Sequence, residues 1–324
     1  MKLQQLRFLA TVAQSELNIT TAAAKLHTTQ PAVSKQLRQL EDELGFRIFE
    51  RHGRALSRVT SPGARVVECA VRVLREVQNI KVISTDYKDD SSGTLSIGTT
   101  HTQARYVLPP VVKVFRERYP KVQLNLLQGT SEQIAEMART GRIDLAIATG
   151  SASLFDKFVL LPCYRWRRQV IVPKDHALAS GGKLSFEALG AYPIVSYVFS
   201  FTGPSSLTEA FHAHNVRPNI ALAARDADVI KTYVRLGIGV GIVANMAVDP
   251  VEDADLVVLD AAHLFPTHTT WVGLDRAALL RRYQYDFISL LAPHLTRREV
   301  DSARAASSQA ETDALFEGVT LPQR

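Results

Sequence analysis

Two groups of side chains have the types and spacing to do chemistry. The first is Gln30, Ser34, Lys35 and Arg38, with Thr29 and Pro31 beside them, in the run TTQPAVSKQLRQLEDELG. A glutamine amide pairs bidentately with adenine, and a lysine or arginine with guanine, in the major groove of a DNA duplex. At helical spacing these residues share the outward face at the start of one helix. The second group is Thr100, Thr102 and Gln103 in TTHTQ, Thr149 before Gly150-Ser151, and Thr202 in SFTG. Uncharged hydroxyl and amide donors suit a small anion that must both enter and leave. Singly, each threonine is as well explained as a helix cap or turn residue. As a set, all stand where a strand ends, and ligands of open parallel sheets collect there.

The elements that must position the first group are legible around it. Leu3, Leu6, Leu9 and Ala13 give a first helix one apolar stripe. Thr20 or Thr21 caps a second helix, whose Ala22, Ala23 and Ala24 allow close backbone approach. After His27-Thr28, Thr29 caps a third helix with Pro31 in its first turn, where a missing N–H costs nothing. Val33, Leu37, Leu40 and Leu44 form its buried stripe. Residues 46–51 and 56–60 read as two short strands around His52-Gly53-Arg54, a wing that places Arg51 and Arg54 against phosphate or the minor groove. An ordinary three-helix bundle with a solvated polar face is the competing reading. Through Thr60 there are nine Lys and Arg (2, 7, 25, 35, 38, 47, 51, 54, 58) against five Asp and Glu (16, 41, 42, 43, 50), a balance that suits a polyanion.

A long helix follows the cap Thr60 and Pro62. Its Val66, Ala70, Val73, Val77 and Ile80 step by 4, 3, 4, 3. That is coiled-coil spacing, and after a DNA-reading head it predicts a dimerising linker rather than a helix packed on its own protein. Asp89-Asp90-Ser91-Ser92-Gly93 breaks the pattern and marks the domain boundary. Beyond it the text alternates: strand 94–99, helix 104–119, strand 121–127, helix 131–140, strand 144–149. This is the pattern of a parallel sheet. Residues 159–172 cross out of it. A second α/β unit has strands at 193–198, 220–224 and 240–244, with helices after 204 and over 226–236. Residues 271–273 and a helix over 276–291 lead back to the first unit. The expected domains are 1–60, 61–92 and 93–295, the last split into subdomain I (93–162 and 266–295) and subdomain II (163–265). Residues 296–324 read as a polar, loosely held tail with a short helix near Ala314.

Composition narrows the classes. The chain has 324 residues, 46% of them hydrophobic, with a net charge of +6 and a pI near 9.3. Its two cysteines, Cys69 and Cys163, lie far apart, so neither a disulfide scaffold nor a zinc site is expected. Gln4, Gln5 and Arg7 break up any secretory signal, and the apolar run 237–248 is too short to span a bilayer. A cytoplasmic protein is expected. Gly237-Ile238-Gly239-Val240-Gly241 lacks the spacing of a dinucleotide loop, and His101, His176, His212 and His214 show no metal spacing. No catalytic residue, cofactor or metal is expected.

The run AAAKLHTTQPAVSKQLRQLEDELGFRIFERHGR resembles the N-terminal signature of LysR-type transcriptional regulators. TTHTQARYVLPPVVKVFRERYP and ARDADVIKTYVRLGIGVGIVA resemble the effector domain of the CysB-type branch, which controls sulfur assimilation and cysteine synthesis. The resemblance implies a winged helix-turn-helix head, all-α in type, a linker helix, and an α/β effector domain of two periplasmic-binding-protein-like subdomains. It further implies a cleft for sulfate, N-acetylserine or O-acetylserine. There Thr100, Thr102, Gln103, Thr149 and Thr202 would surround the anion, with Trp166 nearby. Double-stranded DNA and a homodimer or homotetramer are the implied partners, and a regulator of this class would also meet RNA polymerase. A sibling responding to another small anion could share the same cleft. A solute-binding protein or an α/β enzyme is the reading from another class. The missing export signal and the reading head oppose the first, and the lack of an activated nucleophile, acid/base pair or cofactor loop opposes the second.

Overall fold

The structure is a computed structural model that describes residues 1–53, 55–85, 91–150, 152–156, 158–201 and 207–324. Arg54, Asp89, Asp90, Ser151 and Thr202, all named above, lie outside the described residues.

The head is α1 (Leu3–Gln14), α2 (Ile19–Lys25) and α3 (Gln30–Leu44), followed by the hairpin β1 (Phe49–His52) and β2 (Ala55–Val59). Leu6, Leu9, Val33, Leu37 and Leu40 meet in one buried core. α2 is capped not by a threonine but by Asn18, whose side chain accepts the Thr21 N–H at 2.9 Å. Glu16 and Leu17 both take left-handed backbone, so the chain reverses earlier than its composition suggests. Thr29 does cap α3, and Gly45 ends it at φ +77°. Residues 46–48 are not strand. The Glu41 carboxylate accepts the N–H groups of Ile48 (2.9 Å) and Phe49 (3.1 Å), so a side chain takes the place of a ladder there.

The linker helix α4 (Ser61–Thr85) starts with the Gly63 N–H on Thr60 Oγ1. A Cβ on Gly63 would lie 2.2 Å from the Ile48 carbonyl oxygen, so only glycine lets α4 pass this close under the wing. Val67 and Ala70 are buried in the head core, and Val66 packs beside them. Val73 is 42% exposed and Ile80 66%.

The body contains two five-stranded sheets. In chain order its elements are β3 (Ser92–Thr99), α5 (Leu108–Arg118), β4 (Lys121–Gln128), α6 (Ser131–Arg139), β5 (Leu145–Thr149), β6 (Phe158–Trp166) and β7 (Arg168–Pro173). There follow α7 (Phe186–Gly190), β8 (Pro193–Tyr197), α8 (Leu207–Ala213), β9 (Asn219–Ala224), α9 (Ala227–Arg235), β10 (Val240–Ala244) and β11 (Leu256–Leu259). The chain ends with β12 (His268–Asp275), α10 (Arg282–Leu291), α11 (Arg297–Ala305) and α12 (Gln309–Leu315). Sheet I has the order β4-β3-β5-β12-β6 and sheet II the order β11-β7-β10-β8-β9. In each, three parallel strands are followed by one antiparallel strand (β12 or β7), and a fifth (β6 or β11) pairs antiparallel with that one. The outward crossing falls at Arg167, later than the 162/163 boundary read from sequence, because β6 pairs with β12 as far as Trp166.

The helix expected over 104–119 is divided. Residues Gln103–Val107 form a wide turn in which the Leu108 N–H reaches the Gln103 carbonyl, and α5 follows. Pro109 and Pro110 have no N–H to return to the preceding turn, which opens there.

The C-terminal segment departs most from expectation. It is packed, not loose: Val300, Ala303 and Thr312 are fully buried and Phe316 packs on the sheet I core. The Gln309 side chain bonds both the N–H (3.0 Å) and C=O (2.9 Å) of Leu160, and residues 322–324 pair with Arg165. The segment thereby covers the edge strand β6, whose backbone groups would otherwise invite another chain.

Candidate functional sites

Gln30, Pro31, Lys35 and Arg38 are exposed along the first turns of α3, with Thr29 exposed and Ser34 half-buried between them. The Gln30 amide reaches Ser34 Oγ at 3.5 Å. A polar face at the start of a helix, with its apolar face fixed in a core, is the geometry that enters a major groove. Arg51 departs from its expected place. It is 16% exposed and ion-paired to the buried Glu41 at 3.2 Å, so its guanidinium braces the wing from inside. Across the wing, Arg58 donates to both oxygens of Glu50, at 2.5 and 2.8 Å.

Gln103 and Thr149 of the second group converge at the strand ends of sheet I. Thr149, at the end of β5, places its hydroxyl 2.7 Å from that of Thr270 on β12. The Trp166 indole N–H donates to Thr149 Oγ1 at 3.1 Å. The Gln103 amide nitrogen lies 3.5 Å from Thr270 Oγ1, and its carbonyl accepts the Tyr164 hydroxyl. Gln103 reaches this cluster because the wide turn carries it past the end of β3. Thr100 is half-buried at that strand end, and Thr102 is buried close to the Tyr197 hydroxyl. The Tyr197 hydroxyl accepts the Ala244 N–H at 3.2 Å, and burial pushes its pKa up to about 12.

The hinge contributes two residues absent from the sequence reading. Arg168 and His268 begin the strands on either side of the crossing, with Arg168 Nη1 2.7 Å from His268 Nε2. Guanidinium only donates, so Nε2 accepts. The His268 ring stacks on Trp166 with centroids 4.5 Å apart. Burial, with the neighbouring Arg168 charge, draws the His268 pKa down to about 4, and burial draws that of Arg168 down to about 10. Thr270, Tyr164, Arg168 and His268 carry no local signal, because each becomes relevant only through strand pairing.

Most other candidate groups are engaged by neighbours within the chain. His101, Asp226 and Asp228 bring ligand-type atoms within 4.8 Å of one another. However, Asp226 caps α9, and Asp228 accepts the Tyr106 hydroxyl at 2.7 Å and faces Arg105 and Lys231 at 3.8 and 3.7 Å. A groove of about 520 Å³ beside α9 is lined by paired charges, including Lys231 and Asp253 at 2.9 Å. Cys163 is buried, which pushes its thiol up to about 12, and Cys69 is exposed on α4.

A winged head joined to a two-sheet, hinged body defines a DNA-binding regulator with a ligand-sensing domain. Residues 3–64 match the bacterial regulatory helix-turn-helix protein, lysR family, and residues 88–296 match the LysR substrate binding domain. The chain belongs to the LysR family of transcriptional regulators, and within it is CysB-like. It is similar to the HTH-type transcriptional regulator CysB of Haemophilus influenzae, 46% identical over 99% of each chain. It is also similar to the HTH-type transcriptional regulator SsuR of Burkholderia cenocepacia, 45% identical over 93% of this chain and 97% of that one. Its body resembles the crystal structure of the cofactor-binding domain of the Cbl transcriptional regulator. That match has a TM-score of 0.63 and 40% identity, covering 67% of this chain and 96% of that one. Among the described residues no helix is long and apolar enough to cross a membrane.

Proposed function

We propose that this regulator controls sulfur-assimilation and cysteine-biosynthesis genes in the cytoplasm, and that it senses N-acetylserine, O-acetylserine or sulfate rather than turning any of them over. The observation that carries the reading is the cluster of neutral donors at the hinge: Gln103, Thr149, Trp166 and Thr270 within one hydrogen-bonded network. Thr100, Thr102 and Thr202 complete the proposed set. Neutral donors hold an oxyanion without the permanence of a metal or a covalent bond. Gln103, Thr149, Trp166 and Thr270 all belong to sheet I or its strand ends, so a ligand held there that also reaches sheet II would favour one arrangement of the subdomains and shift the population toward it. On the DNA side, Gln30, Ser34 and Lys35 read base edges. Thr29, Pro31, Arg38 and Arg54 sit at the backbone, and Arg51 acts through the wing. The protein assembles as a dimer or a pair of dimers, matching twofold symmetry in its operator, and meets RNA polymerase there.

Footprinting on genomic DNA with and without each of the three effectors tests the reading. Protected sites should lie before sulfur-assimilation genes and change extent with at least one effector. Gln30→Ala should weaken the footprint by about 1–3 kcal/mol and relax the preference at one base pair. Effector-independent footprints, or turnover of an acetylserine by the purified protein, would overturn it.

A further inference from the structure

Arg168 is 7% exposed. Among the described residues no carboxylate lies within ion-pairing distance of it, and its guanidinium meets the neutral ring of His268. A guanidinium carries five donors, and a buried charge is rarely left without a counter-charge, because removal from water costs several kcal/mol. The other deeply buried cation of the body, Lys231, obeys that rule through Asp253 at 2.9 Å. Arg168 does not.

Its place in the fold is specific. It opens β7 opposite Ala244, the last residue of β10, beside the end of β8 at Tyr197. These are the carboxyl ends of the parallel strands of sheet II, facing the crossing. A chain of contacts leads from it into the donor cluster: Arg168 to His268, His268 stacked on Trp166, and Trp166 to Thr149. A second observation lies at the same strand end. Ser200, in the turn that continues β8, is fully buried, and its hydroxyl has no hydrogen-bond partner among the described residues.

We propose that Arg168 is the specificity residue of the cleft: the counter-charge that an anionic effector supplies from outside, so that ligands are ranked by net negative charge. The proposal rests on the reading of the cleft as an anion sensor and adds to it what the neutral donors cannot do. Hydroxyls and amides position an oxyanion but do not distinguish a dianion from a zwitterion of similar size. A single buried, unpaired guanidinium does.

The experiment is calorimetry on the full-length protein with three ligands of graded charge: sulfate (dianion), N-acetylserine (monoanion) and O-acetylserine (zwitterion). Arg168→Gln should weaken sulfate binding by about tenfold or more, N-acetylserine by less, and O-acetylserine least. Arg168→Lys, which keeps the charge, should recover most of the sulfate affinity. Equal losses for all three ligands would mark a merely structural role and overturn the proposal, as would no loss at all. A measurement on the unaltered protein guards against variants that do not fold. In crystals grown with selenate, the selenium anomalous peak should stand beside Arg168, with an oxygen about 2.8 Å from a guanidinium nitrogen. A cleft peak out of contact with Arg168 overturns the proposal but leaves the anion-sensor reading intact. Absence of binding by all three ligands to the unaltered protein removes that reading, and this assignment with it.

Discussion

His268 is a titratable group whose environment sets the sign of a measurable pH dependence. An unfolded chain protonates histidine near pH 6.5, whereas burial, with Arg168 beside it, lowers the folded value to about 4. Between those values the unfolded state binds more protons, so stability rises with pH across the window. The contribution is fully present above about pH 6.5 and is lost as pH falls through about 4. Thermal unfolding of the protein from about pH 7 to about pH 4 should therefore show a steeper fall in Tm than that of His268→Gln. Carboxylates whose pKa values are lowered, such as Asp253 and Asp255, add slope to both proteins, so the difference between the curves isolates the histidine. Identical curves would mean that His268 is not held neutral. Arg51 teaches a related lesson: an arginine on a wing reads as a phosphate contact until a buried glutamate is found to hold it.

At the scale of elements, α4 divides the seam expected from its spacing. Val66 and Ala70 face the head of the same chain, while Val73 and Ile80 face outward with Val77 half-buried between them. The repeat was real, but its first two steps are used within the subunit. Only the later steps remain for a partner. Val73→Asp should leave the subunit's Tm nearly unchanged, because the side chain is already in water. Against a second helix, the same change buries an unpaired charge. Sedimentation should then show a shift toward smaller species, with weaker operator binding. An unaltered assembly would remove this part of α4 from the interface.

At the scale of the molecule, one strand connects the cleft to the head. The first residues of β12 supply His268 and Thr270, and its last, Asp275, pairs with Arg75 of α4. Asn79 adds bonds to the Ala277 carbonyl (3.3 Å) and the Leu279 N–H (3.0 Å). Gln14 of α1 reaches the Thr140 carbonyl at 2.6 Å, and Arg139 faces Glu68 at 3.4 Å. We expect a shift at the proposed ligand end of β12 to reach the helix that carries the reading head. Coupling between two sites is reciprocal and typically about 1–3 kcal/mol. Arg75→Ala combined with Asn79→Ala should shrink the ratio of operator affinities with and without effector, while calorimetry still records effector binding. A ratio equal to that of the unaltered protein would show that coupling travels by another route.

The sequence by itself determined the helices of the head, the cap at Thr29, the alternation of the body and the strand-end threonines. These are local properties: a period of 3.6 or 2, a capping hydroxyl or a breaking proline acts within a few residues. Gln103 and Thr149 were legible for the same reason. Thr270 meets Thr149 across 121 residues of chain, and Arg168 meets His268 across 100. No local pattern encodes such distances; only the pairing of β12 with β5 and β6 does. The C-terminal segment misled by its polar composition, since the few side chains that matter, Val300, Ala303, Gln309 and Thr312, are spaced to meet a surface that exists only after folding. Periodicity fixes which face of an element is buried. What it is buried against, and hence which cation among the described residues is left without a carboxylate partner, the tertiary structure decided.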